Sequence, residues 1–368
     1  MRWSPARVIV AIVAALMVGF STAYVASSEV RYLTRAGLEE TQILTDRKPI
    51  EKVLRNPDLD PAVRGQLELV LEARDAAAGL GLEADKTFTQ YTDVGRDTLL
   101  LVLSASPPDC LCPITWKYPI VGRVPYKGFF DPKMAEKEVA KLDARGLDTY
   151  LRPAGAFSTL GWFNDPLLST ALGGDSVEIA ALVFHEVAHN TLYVKSATPF
   201  NETFAQMVGY RAAQAFFLER GDSGHAQRAA DRWHDELVLG SFYDALAARL
   251  DTLYDSHPDS AALAEGRSEA GRWAREQLEG PVGGELRTIR VGRMAERPVN
   301  NARLIAARIY RTRSILFEEW YQQNGGDIRL AVERLTSVMA GVEGDSAWSR
   351  LETALRPSAA ADSGAVTP

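Results

Sequence analysis

Histidine and cysteine are the scarce residues of this chain, with five His and two Cys among 368 residues. Both cysteines fall in Cys110-Leu111-Cys112, and His225, His234 and His257 stand isolated. No stretch gathers four metal ligands, which argues against a closed structural zinc site. The two-residue spacing makes a disulfide between the cysteines a strained one, in a loop marked by Pro107, Pro108 and Pro113. Basic clusters are missing too. With a net charge of −7, a pI near 5.4 and no interleaving of aromatic and basic residues, the chain is a poor partner for nucleic acid. It contains no internal repeat.

Apolar residues are abundant at 46%, enough for one large domain or two closely packed lobes. Residues 1 to 7 carry two arginines, and from Val8 no charge appears until Glu29. Counted to Ser27, this stretch has the length of a bilayer span, whereas its strongly apolar part, Val8 to Phe20, suits a signal peptide. Ser21-Thr22-Ala23 meets the small-residue rule for cleavage. Residues 1–27 are thus expected to be a signal peptide or an anchor in the inner membrane, with the remainder exported to the periplasmic side. Residues 28–356 are expected to fold as an N-terminal helical and sheet lobe (28–174), a central helix pair (175–220) and a C-terminal helical lobe (221–356). The small, polar residues 357–368 read as a disordered tail.

Periodicity within those limits predicts an α+β, mostly helical fold. Apolar spacing from Val30 to about Leu82 gives two or three helices broken near Pro49, Pro57 and Pro61. Strands are expected at Thr98–Ala105, around Ile120–Tyr126 and at Asp148–Arg152, with a helix at Pro132–Arg145. Ala156–Trp162 reads as an edge strand, with Gly155 and Gly161 allowing another backbone close by. Beyond Arg220 helical spacing covers Ala226–Leu253, Ala261–Leu278, Ala302–Trp320, Leu330–Met339 and Ala347–Leu355, with Gly280–Gly284 as a separator.

The chemistry concentrates in Asp175–Arg220, around His185-Glu186-Val187-Ala188-His189. Asp175 suits an N-cap, Glu178 a capping-box partner, and Ile179, Leu182, Val183 and Val187 an apolar stripe. His185 and His189 then lie one turn apart on one face, able to reach one metal ion, and Glu186 can hold its water. Leu192 and Lys195 occupy the places where a metzincin carries Gly and a third His, which excludes that class. Thirteen residues beyond His189 stands Asn201-Glu202-Thr203-Phe204-Ala205, opening a second helical pattern with Pro199 in its first turn and Gly221 at its stop. A helix, a short loop and a return helix would set Glu202 opposite the imidazoles, giving one Zn2+ bound by His185, His189 and Glu202 with an open fourth position.

At these residues the chain resembles the gluzincin type of zinc metallopeptidase. More narrowly, it resembles the bacterial envelope proteins described as predicted aminopeptidases. The likeness extends to Trp116–Phe130 (WKYPIVGRVPYKGFF), Ala156–Leu168 (AFSTLGWFNDPLL), Phe184–Ala205, and Asn300-Asn301-Ala302 with Tyr310, spanning most of residues 30 to 340. It implies a zincin-like core, zinc ligation by His185, His189 and Glu202, Glu186 as general base, and peptide substrates. Relatives often carry a lipoprotein-type Cys after the apolar run; this chain has none. Candidates for the oxyanion donor are Tyr310, Tyr193, Tyr210 and Arg211, with Tyr310 favoured by the resemblance near Asn300. Exopeptidase and endopeptidase action stay open, as does a catalytically silent, membrane-tethered interaction protein, against which an intact Glu186 argues.

Overall fold

The computed structural model describes residues 4–118, 122–155 and 166–356. Helix Pro5–Ala26 has mean hydropathy 2.4 and no buried residue. A single residue, Ser27, separates it from helix Ser28–Asp46, whose first turn Ser27 caps through its hydroxyl. That second helix is docked. The buried Lys127 ammonium bonds the Glu29 carboxylate at 2.9 Å and sits 4.3 Å from the centre of the Tyr32 ring.

The sheet elements are short. Leu100–Ser106 is the central strand of an antiparallel sheet, flanked by Lys127–Phe129 and Asp148–Ala154. Pieces of two or three residues, Lys48–Pro49, Gln90–Thr92 and Leu167–Leu168, make a second sheet, and Trp116–Tyr118 pairs with Gly122–Val124 as a hairpin. The expected strand at Ile120–Tyr126 is therefore corrected to two: a hairpin strand ending at Val124 and a sheet strand starting at Lys127. The expected edge strand Ala156–Trp162 lies outside the described residues, as does the tail after Arg356. Helix Pro132–Asp143 packs on the sheet through Ala135 and Leu142, against Leu103 and Phe129.

The site helices Ser176–Thr191 and Thr198–Glu219 form the centre of the largest core. Val183, Phe184 and Val187 of the first and Phe204, Met207 and Val208 of the second are fully buried, with helices Pro61–Gly79, Ile328–Val338 and Ser346–Leu355 around them. Helices Ser223–Asp255 and Ser260–Glu279 share a second core. The stretch Ala302–Trp320, expected to be one helix, is two: Asn301–Arg308 and Ser314–Gln323. Its break carries neither Gly nor Pro. It is held from outside, by Asp244 on the Arg308 guanidinium and the Arg313 amide, and by Glu236 on Arg311 at 2.6 Å.

Two asparagines fasten the sheet to this region. Asn300 caps helix Asn301–Arg308 through its side-chain oxygen and donates to the Thr149 carbonyl. Fully buried Asn301 donates to the carbonyls of Pro107 and Cys110 and accepts from the Tyr254 hydroxyl. Cys110 and Cys112 are disulfide-bonded, their Cα atoms 5.2 Å apart, although their spacing argued against the pairing. The Ser106 hydroxyl is shared between the carbonyls of both, and with the Asn301 bond to Cys110 it ties the loop down through its backbone.

Candidate active site

Local chemistry starts the first site helix where expected. The Asp175 carboxylate accepts from the amides of Val177 and Glu178, satisfying two orphan donors of the first turn. Glu178 does not act as a capping-box partner; its carboxylate goes to Arg232 at 3.2 Å and to the Tyr210 hydroxyl at 3.4 Å. His185 and His189 emerge one turn apart, ring centres 4.9 Å from each other.

The return helix is placed by Asn201 and Gly209. Asn201, almost fully buried, accepts from the Val194 amide and donates to the Val194 carbonyl, closing the loop between the helices one residue before Glu202. Gly209 lets the helices touch: a Cβ there would lie 2.8 Å from the Ala181 carbonyl oxygen and 3.4 Å from the His185 Cβ. Glu202 consequently reaches both imidazoles, its Oε2 standing 3.4 Å from His185 Nε2 and 3.8 Å from His189 Nε2.

Ligands about 2.0–2.1 Å from a tetrahedral ion are separated by about 3.3 Å. The observed spacings are close to that edge, and all three ligand atoms lie within 4.8 Å of one another. Two imidazole nitrogens and one carboxylate oxygen form a donor set suited to zinc, so these residues fit the ion. Their mutual electrostatics are those of a group short of positive charge. Burial pushes His185 toward neutrality, but Glu202, Glu186 and the Gln206 side chain outweigh it and raise its pKa. Burial, with the charge on His185, drives His189 down to about 4. Burial would raise Glu202, yet the two histidines hold it below the ordinary range. A divalent cation would supply positive charge among these three groups.

The remaining candidates separate clearly. Tyr310, on the break after helix Asn301–Arg308, has its ring 6.1 Å from that of His185. Burial, followed by the charges of Glu202 and Glu186, raises its pKa and keeps the phenol a donor. Tyr210 is committed to Glu178, and Arg211 pairs with Glu318 at 2.6 Å, so neither is paired with His185, His189 or Glu202. Tyr193 is exposed on the loop between the helices. Two residues that sequence reasoning missed are linked to the site by charge, Tyr126 and Arg152. Burial and then Glu202 raise the Tyr126 pKa, and Arg152 acts on both Tyr126 and Tyr310. Tyr126 falls within the Trp116–Phe130 likeness, a signal that could have singled it out.

Residues 31–344 match the model of the family described as "Putative aminopeptidase". The chain belongs to this family. The match spans both site helices, the sheet and the Asn300–Tyr310 region, so it covers every candidate site residue. No curated protein and no solved structure matches the chain. Family membership points to peptide hydrolysis, and His185, His189 and Glu202 converge as a group that could hold a metal ion.

Proposed function

We propose that the chain is a zinc-dependent peptidase of the gluzincin type, with a zincin-like core. It acts as an aminopeptidase on the outer side of the membrane that helix Pro5–Ala26 enters. The observation that carries this reading is the meeting of two imidazoles and the Glu202 carboxylate within 4.8 Å, with Glu186 next to the first of them. Three protein ligands leave a fourth position for water, as in catalytic rather than structural sites. Zinc held by His185, His189 and Glu202 supplies a Lewis acid that polarises the scissile carbonyl and lowers the pKa of water.

Glu186 provides the base. It takes a proton as water attacks the carbonyl carbon and hands it to the leaving amine when the peptide bond breaks. The Tyr310 hydroxyl donates to the carbonyl oxygen as negative charge develops there. Gly209 and Asn201 hold the ligand helices in register while this happens.

The test is zinc content together with hydrolysis of a peptide library bearing free or acetylated N-termini, for the chain and its Glu186→Gln variant. One zinc per chain with Glu186-dependent cleavage of free N-termini alone is the expected result. Cleavage of both sets makes the protein an endopeptidase, and absence of zinc refutes the ligand assignment.

A further inference from the structure

Tyr310 belongs to neither helix beside it. It sits in the break between Asn301–Arg308 and Ser314–Gln323, next to Arg311, with its ring 6.1 Å from that of His185. Helix Ser223–Asp255 packs on this break through Glu236, Gly240 and Asp244, each one turn from the next. Glu236 Oε2 pairs with Arg311 Nε at 2.6 Å, and its Oε1 accepts from a terminal nitrogen of the same guanidinium at 2.9 Å. Gly240 lies against the backbone: a Cβ there would collide with Ser314 Oγ and stand 3.0 Å from the Arg311 carbonyl oxygen. Asp244 accepts from Arg308 Nε at 3.0 Å and from the Arg313 amide at 3.1 Å. Arg313 holds a φ of +51°, a left-handed conformation that costs a residue other than glycine free energy, so this last bond secures a strained turn.

The same i+4 ridge continues toward the start of that helix and reaches the first site helix. Arg228 donates to the Asp175 carboxylate at 2.9 Å, and Arg232 pairs with Glu178 at 3.2 Å. One helix therefore grips the helix bearing His185 and His189 at one end of the ridge and the Tyr310 break at the other. The two grips are about 24 Å apart, at 1.5 Å per residue from 228 to 244. Nothing in the sequence between Arg308 and Ser314 enforces the shape of the break, so its position relative to His185 is set by what it rests on.

We propose that Glu236, Gly240 and Asp244 are positioning residues that hold the Tyr310 hydroxyl where the oxyanion develops. They act through the backbone on either side of it, on Arg308 before and on Arg311 and Arg313 after. Glu236 is buried, and a buried ion pair adds little net stability because desolvation offsets the attraction; what it supplies here is a fixed place for Arg311. A donor displaced by about 1 Å loses much of its benefit to the reaction. This inference rests on the peptidase reading, in which Tyr310 donates to the carbonyl oxygen, and names the residues that make it able to.

The experiment measures kcat, KM and zinc content for the full chain carrying Gly240→Ala or Asp244→Asn, each alone and combined with Tyr310→Phe. Gly240→Ala presses a methyl on the Arg311 carbonyl and should lower kcat by roughly tenfold at little change in KM or zinc. Asp244→Asn keeps the shape while weakening the hold on Arg308 and Arg313, and should lower kcat less. Adding Ser314→Ala removes the oxygen that the new methyl strikes and should restore part of the Gly240→Ala loss. In the Tyr310→Phe background neither substitution should lower kcat further, because the group they position is gone. Losses that multiply with that of Tyr310→Phe, a fall in zinc content, or an unchanged kcat in both variants overturns the proposal. Should Gly240→Ala fail to fold, Asp244→Asn decides by the same comparison. If the parent cleaves nothing, the peptidase reading fails, and fluorine NMR of the metal-free chain with 3-fluorotyrosine at position 310 or 193 decides the positioning separately. A resonance at 310 that moves in Gly240→Ala and returns with Ser314→Ala, while that at 193 stays, sustains it. An unmoved resonance at 310, or equal movement of both, overturns it.

Discussion

Replacing Gly209 with Ala tests whether contact between the site helices sets the metal geometry. The new methyl would stand 2.8 Å from the Ala181 carbonyl oxygen and 3.4 Å from the His185 Cβ, and the first neighbour is backbone that cannot rotate away. Relief requires the helices to part by roughly half an ångström, and overpacking of this kind costs about 1–3 kcal/mol. The gain in helix propensity returns up to about 1 kcal/mol. Net stability should fall by no more than about 3 kcal/mol, leaving the chain folded. The ligand spacing is less forgiving. Metal–ligand distances tolerate about 0.2 Å, and the shift moves Glu202 against His185 by more than that. Zinc affinity should therefore fall about tenfold or more while the metal-free melting temperature changes modestly. Thermal melting of metal-free protein and competition with a chelator measure the two quantities separately. Gly221→Ala is the control: its φ of +72° makes Ala strained, but nothing lies within 4 Å of the added carbon, so it should cost stability and spare zinc. If Gly209→Ala binds zinc as tightly as the parent, the helices have slack and the argument is wrong.

Tyr310→Phe should lower kcat about 100-fold at unchanged zinc content, the usual cost of one lost oxyanion donor; an unaltered kcat in steady-state assays would remove Tyr310 from the mechanism. Asn301→Ala deletes a buried amide that joins Pro107, Cys110 and Tyr254, and should destabilise the fold by about 2–4 kcal/mol in urea titrations. Acid should destabilise the chain through Asp235 and Glu318. Burial alone would raise both carboxyls, but Thr288 with three backbone amides lowers Asp235, and Arg211, with Gln322 and Trp233, lowers Glu318. Unfolded carboxyls bind protons at higher pH than these folded ones. Their contribution is thus complete above the ordinary carboxylate range and drains away as pH falls through the lowered values. Asp235→Asn should flatten that limb of the stability–pH curve, and an unchanged slope would show that Asp235 contributes nothing to it.

Short-range signals made the centre of the molecule legible. Asp175, the i, i+4 histidines, Pro199 and Gly221 each act within a turn of where they stand, and a helix–loop–helix leaves Glu202 few places to go. Other features depend on groups remote in sequence. The break at Ile309–Arg313 contains neither Gly nor Pro; Glu236 and Asp244 of another helix hold it through Arg311, Arg308 and the Arg313 amide. Reading 302–320 as one helix was the natural outcome of periodicity, and Tyr310 could not be placed from it. Tyr210 and Arg211 looked available because their partners, Glu178 and Glu318, lie 32 and 107 positions away. Strands of two or three residues are too short for alternation to register. Arg152 went unnoticed because a single charge on a half-buried strand resembles any solvated one.

The contact between Lys127 and Glu29 bears on reach. Helix Pro5–Ala26 is about 33 Å long, and only Ser27 separates it from a helix whose first turn is already bonded to the sheet. No leash is paid out between the apolar segment and the folded body. On the proposed reading, in which the N-terminal helix enters a membrane, the sheet follows at a short stand-off and peptides come to it. A flexible insertion at Ser27 would leave every ligand in place while changing which substrates, tethered or free, the site can meet.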